Sequence, residues 1–388
     1  GPIMLKKMIL TLICATVVGQ MALASTATEP EIITLEMQWE AGAEGDDDVI
    51  FGVISGLDVD AAGNVYVADR QLNLVSKFSP DGEHLGPLGR EGDGPGEYRR
   101  VGDLFVTGPE EVGVMQRMPG KINTLTADGL PGRSIAIPSG LTETPAYFFN
   151  GRVVGDQVLI LSNQMQRDGE SMSIIRSLVR VSAEGEEIAR LSEVLEETNL
   201  TDFQVEEKTH SPVIWAAAPN GNVFLSDEFD AYSIREYDAA GKLVNSISRQ
   251  YEHRSRNSQE MDENTPRMAV RSQSGERQDA EGTPSKTDRD LQALYVRPDG
   301  ALWVLTSRGA YDCADGVLAT FDVFSDGRTF SHQVSLHGEG NFHDDGLRLI
   351  GNRVYLMRGL RAAALTGRGD GSESDNAIPM SVVCFEIS

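Results

Sequence analysis

Basic residues are scarce in this chain: 34 Lys and Arg stand against 59 Asp and Glu, a formal net charge of −25. A surface of that sign repels phosphate backbones and anionic lipid, which disfavours nucleic-acid and membrane-surface binding. Aromatics make up only 6% of the residues, while 40 glycines and 16 prolines point to many turns and little helix. No Gly-x-Ser-x-Gly elbow, phosphate loop or Cys-x-x-Cys pair occurs, which removes the support for nucleophile-elbow hydrolase, nucleotide and ribbon-zinc readings. "GREGDGPGEY" is glycine-rich but precedes a strand, so it reads as a sharp chain turn. Histidine is rare too, six in all, and His332, His337 and His343 straddle a strand and a crossing, a poor arrangement for zinc.

One apolar run stands out, Met8 to Val18, and it is too short to span a bilayer. Lys6 and Lys7 precede it and Ala22-Leu23-Ala24 closes it, the order of a secretory signal peptide. The expected organisation is therefore a reading-frame scar at 1–3, a signal peptide at 4–24 and one domain over 25–388, exported to the periplasm or secreted without membrane insertion. Cysteine is almost absent: Cys14 falls inside the signal, and Cys313 and Cys384 remain. Export allows those two to form a disulfide. The competing reading makes Cys384, in "SVVCFEIS", a buried small side chain.

What the chain has in quantity is a repeat: an apolar alternating strand, a tight Gly turn, a second strand, and a polar residue where that strand stops. "GLDVDAAGNVYVAD" and "IWAAAPNGNVFLSD" are its clearest copies. Turns joining an inner strand to the next occur six times, at Gly63, Gly108, Gly155, Gly221, Gly300 and Gly351. Asn-Gly and Asp-Gly suit them because such hairpins need positive φ. Turns joining the outer strands occur only five times, at Gly82, Gly129, Gly185, Gly241 and Gly327. The last unit ends on "PMSVVCFEIS" with no strand after it, and the missing partner is supplied by "EIITLEMQW" near the other end of the chain.

The count predicts an all-β, six-bladed β-propeller with four antiparallel strands per blade. Its ring is closed by an N-terminal strand at about 31–40 completing the last blade, which leaves no free edge. Spacings of 47, 56 and 56 residues between the outer-turn glycines fit, and the 86 residues from Gly241 to Gly327 locate an insertion at 251–290. That segment is polar and nearly free of large apolar residues, so the expectation is disorder or a loose excursion with one short helix.

The stretch "GLDVDAAGNVYVADRQLNLVSKFSPDGEHLGPLGREGDGPGEY" resembles an NHL repeat, through Gly-Asn-Val-Tyr-Val-Ala-Asp and the crossing that ends in Gly-Pro-Gly-Glu-Tyr. The unit around Gly221 is a fair match, and the chain as a whole is similar to exported bacterial propellers of the NHL and TolB-like kind. The resemblance implies a fold and an interaction role more than a reaction.

Aligning the six units puts Asp69, Gln116, Ser162, Asp227, Thr306 and Arg358 at the ends of the second strands. They are expected to ring the channel mouth, with Arg70 and Arg117 one step further out and His343 and Asp344 added by a crossing. Such a concave site of carboxylates and arginines suits a protein, peptide or glycan bound without catalysis by a monomer. The bland reading is that strand ends meet water or cap hairpins, Asp69 and Asp227 bonding only to nearby amides. The alternative function is a metal-assisted, calcium-dependent lactonase-like hydrolase or lyase using Asp69, Asp227 and Asp344. No cofactor is expected otherwise.

Overall fold

The computed structural model describes residues 29–387 except 44, 46–47, 143–145, 170, 200–204, 210, 272–276, 326–327 and 367–379. The scar at 1–3, the signal peptide at 4–24 and the turn glycine Gly327 lie outside the described residues.

The strands fall into sets of four, each antiparallel and each running from an inner to an outer strand. Blade I comprises Ile54–Val59, Val65–Asp69, Leu74–Phe78 and His84–Pro87. Blade II comprises Val101–Gly108, Glu111–Gln116, Lys121–Thr126 and Pro131–Ser134. Blade III, with the longest strands, comprises Ala146–Val154, Gln157–Asp168, Ser171–Val181 and Glu187–Asn199. Blade IV comprises Ile214–Ala217, Val223–Ser226, Ser233–Tyr237 and Leu243–Ser248. Blade V comprises Leu291–Val296, Leu302–Thr306, Val317–Phe324 and Phe330–His337. Blade VI takes Gly346–Ile350, Arg353–Arg358 and Ser381–Ile387 from the end of the chain and Glu31–Ala41 from its beginning.

That last strand closes the structure. Leu35 to Ala41 run antiparallel to Ile387 to Val382 as the outer strand of blade VI. Glu31 to Thr34 continue past it and pair in parallel with Val334 to His337 of blade V, so blades V and VI share one eight-stranded sheet. The apolar residues of each blade pack on its neighbours in turn. Leu35 and Phe321 belong to a cluster joining blades V and VI, and Trp39, Tyr355, Leu57 and Phe78 to one joining VI and I. Four further clusters join I to II, II to III, III to IV and IV to V. The core is thus a circuit of interfaces between blades. The fold is a β-propeller.

The outer-turn glycines have two reasons to be glycine. Gly82 has φ +85°, and a Cβ there would lie 2.5 Å from the Trp39 ring of the preceding blade. Gly241 repeats this with φ +79° and a Cβ position 2.1 Å from the Cβ of Ala189. Turn geometry and blade packing therefore select the same residue.

The described part of the 251–290 insertion is built and tethered, which corrects the expectation of a loose excursion. It carries the expected short helix, α1 (Ser258–Glu263), capped by a reciprocal Asn257–Glu260 box, and a hairpin of Arg267–Arg271 with Arg277–Glu281. Arg254 reaches Asp288, Glu260 and Asp312 at 2.6–2.7 Å, and Arg256 reaches Asp288 and Glu207 at 2.6 Å. Glu263 of α1 contacts Arg361 at 3.1 Å and His343 at 3.4 Å, so the segment is tied both to the crossing before blade IV and to blade VI. Buried, multiply bonded arginines supply the ordering that an apolar face would otherwise supply.

At the neck of the insertion, His253 Nδ1 lies 2.8 Å from the buried carboxylate of Asp290. That hydrogen bond and charge hold the imidazole pKa above its ordinary 6.5, with the Lys208–Asp230 pair beside it contributing in opposite senses. Burial pushes the Asp290 carboxyl upward, opposed by His253. The imidazolium is favoured by the fold, so its contribution is complete below about pH 6.5 and lost as pH rises through the raised value. Amide exchange of Tyr251 to Arg256, corrected for intrinsic rates, is expected to quicken above neutral pH, and His253→Gln to flatten that dependence. An unchanged profile in the variant would show that the neck is held by the arginines alone.

Candidate functional site: the central channel

The second-strand ends occupy equivalent register positions, Asp69 opposite Ile54, Gln116 opposite Val101 and Thr306 opposite Leu291. Their side chains are engaged locally. Asp69, 2% exposed, accepts four backbone N–H groups, from Gly52 (2.6 Å), Gln71 (2.8 Å), Leu72 (2.9 Å) and Val53 (3.2 Å). Gln116 accepts from the Arg99 amide at 3.0 Å, and Thr306 caps the short helix α2 (Ser307–Tyr311) through the Gly309 amide at 3.1 Å. Asp227 differs from the expected amide cap: it accepts from Ser192 at 2.8 Å and pairs with Arg235. Arg358 pairs with Glu40 at 3.0 Å and Glu339 at 3.4 Å. Ser162 is fully buried with its hydroxyl unpartnered.

Arg70 donates its amide to Val53 at 2.9 Å, and the Arg117 guanidinium stacks 5.4 Å from the Phe149 ring. His343 and Asp344 come within 3.9 Å of one another, and Asp344 also accepts from Asn341 at 3.1 Å. Among the described residues, no three His, Cys, Asp or Glu side chains stand together as a metal-holding group; Asp69, Asp227 and Asp344 each answer to different partners. The two described cysteines are free, so of the two readings offered for them the disulfide is not formed and Cys384 is a buried small side chain. Cys313 donates to the Gly309 carbonyl at 3.1 Å, while Cys384 is a buried core side chain of blade VI.

One concave feature among the described residues lies along the axis of the molecule. A cavity of about 590 Å³ runs along the inner strands of five blades, lined by apolar side chains such as Ile214, Leu294 and Leu349 and by a few polar ones. Asp58, Asn150, Arg152, Trp215, Gln292 and Arg348 are the polar or amphipathic groups of that lining. Asp58, Arg152, Tyr295 and Arg348 lie opposite Tyr66, Leu159, Trp303 and Tyr355, the second or third residues of the neighbouring strands. They therefore sit in the half of the channel nearest the inner turns, away from the strand ends where the ring was expected.

Each charge in this half is held differently. Asp58 accepts the Val106 amide at 2.8 Å and its neighbour Val59 at 3.0 Å. Behind it Asp103, 1% exposed, accepts the Gly151 amide through Oδ2 at 3.1 Å, with Arg152 3.5 Å away. Its Oδ1 has no hydrogen-bond partner, and a Cβ on Gly56 would stand 2.4 Å from that atom. Burial raises the Asp103 carboxyl pKa, against the pull of Arg152 and Arg348. Arg152 also donates to the carbonyls of Gly151 at 2.7 Å and Leu104 at 3.4 Å. Tyr295 donates its hydroxyl to the Leu347 carbonyl at 3.0 Å, and burial pushes its pKa up to about 12. Arg348 stands apart: its Nε is buried without a partner, and its guanidinium makes no hydrogen bond or ion pair to any described residue.

These first-strand residues were missed in the sequence. The signal was a polar residue interrupting an apolar inner strand, in "GLDV", "NGRVV" and "GLRLI".

No family profile matches the chain, and no curated protein matches it in sequence. Solved structures do match in shape. A candidate exported protein from Bacteroides fragilis aligns over 92% of this chain and 99% of its own at 11% identity, with a TM-score of 0.49. The calcium-binding protein regucalcin from Agrobacterium tumefaciens aligns over 92% and 96% at 10% identity and a TM-score of 0.47. Virginiamycin B lyase from Staphylococcus aureus aligns over 91% and 100% at 12% identity and a TM-score of 0.43. No helix among the described residues is long and apolar enough to cross a membrane.

Proposed function

We propose that this chain is an exported, non-catalytic binding module whose ligand enters the central channel from the side of the inner turns. One observation carries the reading: the cavity of about 590 Å³ brings charged and polar side chains of several blades together with apolar ones, a combination that suits a ligand pocket. Asp69, Gln116 and Thr306 at the opposite mouth are engaged with backbone amides, and Asp227 and Arg358 in ion pairs, which favours the channel over that face. Of the partners anticipated, a protein, peptide or glycan, the end of a peptide fits a lumen of this size better than a folded protein surface, and a small molecule would fit as well.

Trp215 lines the cavity and donates to Asn150 at 3.0 Å, so it is a built-in reporter. Screening peptides, glycans and small acids by emission is expected to yield ligands that alter the spectrum, with the change lost in Trp215→Phe. Those ligands should be recovered chemically unchanged after prolonged incubation. A ligand that binds with unaltered emission would place the site elsewhere, and its conversion to product would overturn the non-catalytic reading.

A further inference from the structure

The charged groups of the channel are not all paired by hydrogen bonds within the protein. Arg152 leans on Asp103 and on two carbonyls, and Asp58 is satisfied by two backbone amides. Arg348 is left as a partly buried guanidinium, on the cavity wall, with no described residue to receive any of its N–H groups. A cation placed beside apolar surface without an acceptor is costly, and a guanidinium presents a planar fork matched to two oxygens of one anion. We infer that the channel takes a monocarboxylate with an apolar body, its carboxylate received by Arg348 with Arg152 close by and its body laid against Trp215, Leu294 and Leu349.

One negative charge is the appropriate number. Arg348 is the one channel cation left without a hydrogen-bond acceptor among the described residues, and the Asp58 carboxylate on the same wall would repel a second charge. The chain's overall charge of −25 opposes entry of multiply charged phosphates in the same way. Free organic acids and the C-terminal carboxylate of a peptide share this chemistry.

The inference rests on the channel reading above, and one set of titrations tests both. Calorimetry and Trp215 emission would be followed with phenylacetate and 4-phenylbutyrate, with their amides, and with acetyl-Phe-Ala bearing a free or amidated C-terminus. Acids are expected to bind in preference to amides. Arg348→Gln should weaken the acids about 10- to 100-fold, as loss of a charge-assisted pair does, without affecting amides. Arg348→Lys keeps the charge but not the fork, and should recover only part of the loss. Circular dichroism and melting curves identify any variant that fails to fold, in which case the acid-over-amide ratio of the wild-type protein decides alone. Preference confined to acetyl-Phe-Ala would assign a peptide terminus, and preference among the small acids a free acid. Equal binding of acids and amides, or wild-type affinity in Arg348→Gln, overturns the carboxylate assignment while leaving the channel reading intact. Binding that leaves Trp215 emission unaltered overturns the channel reading itself.

Discussion

Trp39→Ala is expected to lower the stability of the folded chain by roughly 3–5 kcal/mol, the upper range for truncating a large buried aromatic. Trp39 is only 8% exposed and lies on the strand that completes blade VI. Its ring stacks on Phe78 of blade I, with centroids 6.3 Å apart and planes 16° from parallel, and tilts against Tyr355 of blade VI at 6.2 Å. Its Nε1 donates to the Pro80 carbonyl at 3.1 Å, which Arg353 also reaches at 2.8 Å, and Gly82 leaves room for the indole by having no side chain. The substitution therefore opens a cavity at the seam where the two ends of the chain meet, and removes one of the two donors to the Pro80 carbonyl. Blade VI differs from the other blades because no hairpin joins its outer strand to the strand beside it, Ser381–Ile387: release of Glu31–Ala41 frees a sheet edge. Equilibrium urea denaturation gives the loss, and limited proteolysis should show cleavage near residues 29–41 before any other site. A loss under about 1 kcal/mol, or first cleavage elsewhere, would mean that backbone pairing alone closes the ring.

That closing strand was legible because it is a matter of counting. Six inner turns and five outer ones require a strand from elsewhere, and Glu31–Ala41 fits the expected 31–40. Its excursion onto blade V was not legible, since the pairing of Glu31 to Thr34 with Val334 to His337 is made by backbone groups that carry no side-chain signal. The insertion shows the same limit. Its composition shows no apolar face that could order it, but the bond from Arg256 to Glu207 links residues far apart in sequence, and only the fold brings them together. The channel residues were illegible for a third reason. Polar strand ends are conspicuous in an alignment of repeats, whereas Arg348 and Asp103 look like minor interruptions of apolar strands. Whether such a residue faces a lumen, a neighbouring blade or solvent depends on strand tilt around the whole ring.

Asp69→Ala provides the second large effect, and it separates a cap from a ligand site. The carboxylate receives four backbone amides from both sides of the chain turn, Gly52 and Val53 before the inner strand and Gln71 and Leu72 after the second. Hydrogen bonds to a charged acceptor contribute about 1.5–3 kcal/mol each, and they are not additive when one group makes several. Removing the acceptor leaves donors unmet in a largely buried setting, so a loss of about 3–5 kcal/mol is expected. Asp69→Asn should cost less, since one oxygen still accepts while the new amide opposes the remaining donors. Asp227→Ala offers the contrast: it loses one hydroxyl donor, the buried Ser192, and the partly exposed Arg235, which can turn to water, and a loss of about 1–2 kcal/mol is expected. Denaturation of the three variants, paired with titration of any channel ligand, gives the decision. A cap predicts lost stability with ligand affinity retained in the fraction still folded. Lost affinity at wild-type stability would return Asp69 to the binding surface, and would require a ligand long enough to run from the inner turns to the opposite mouth.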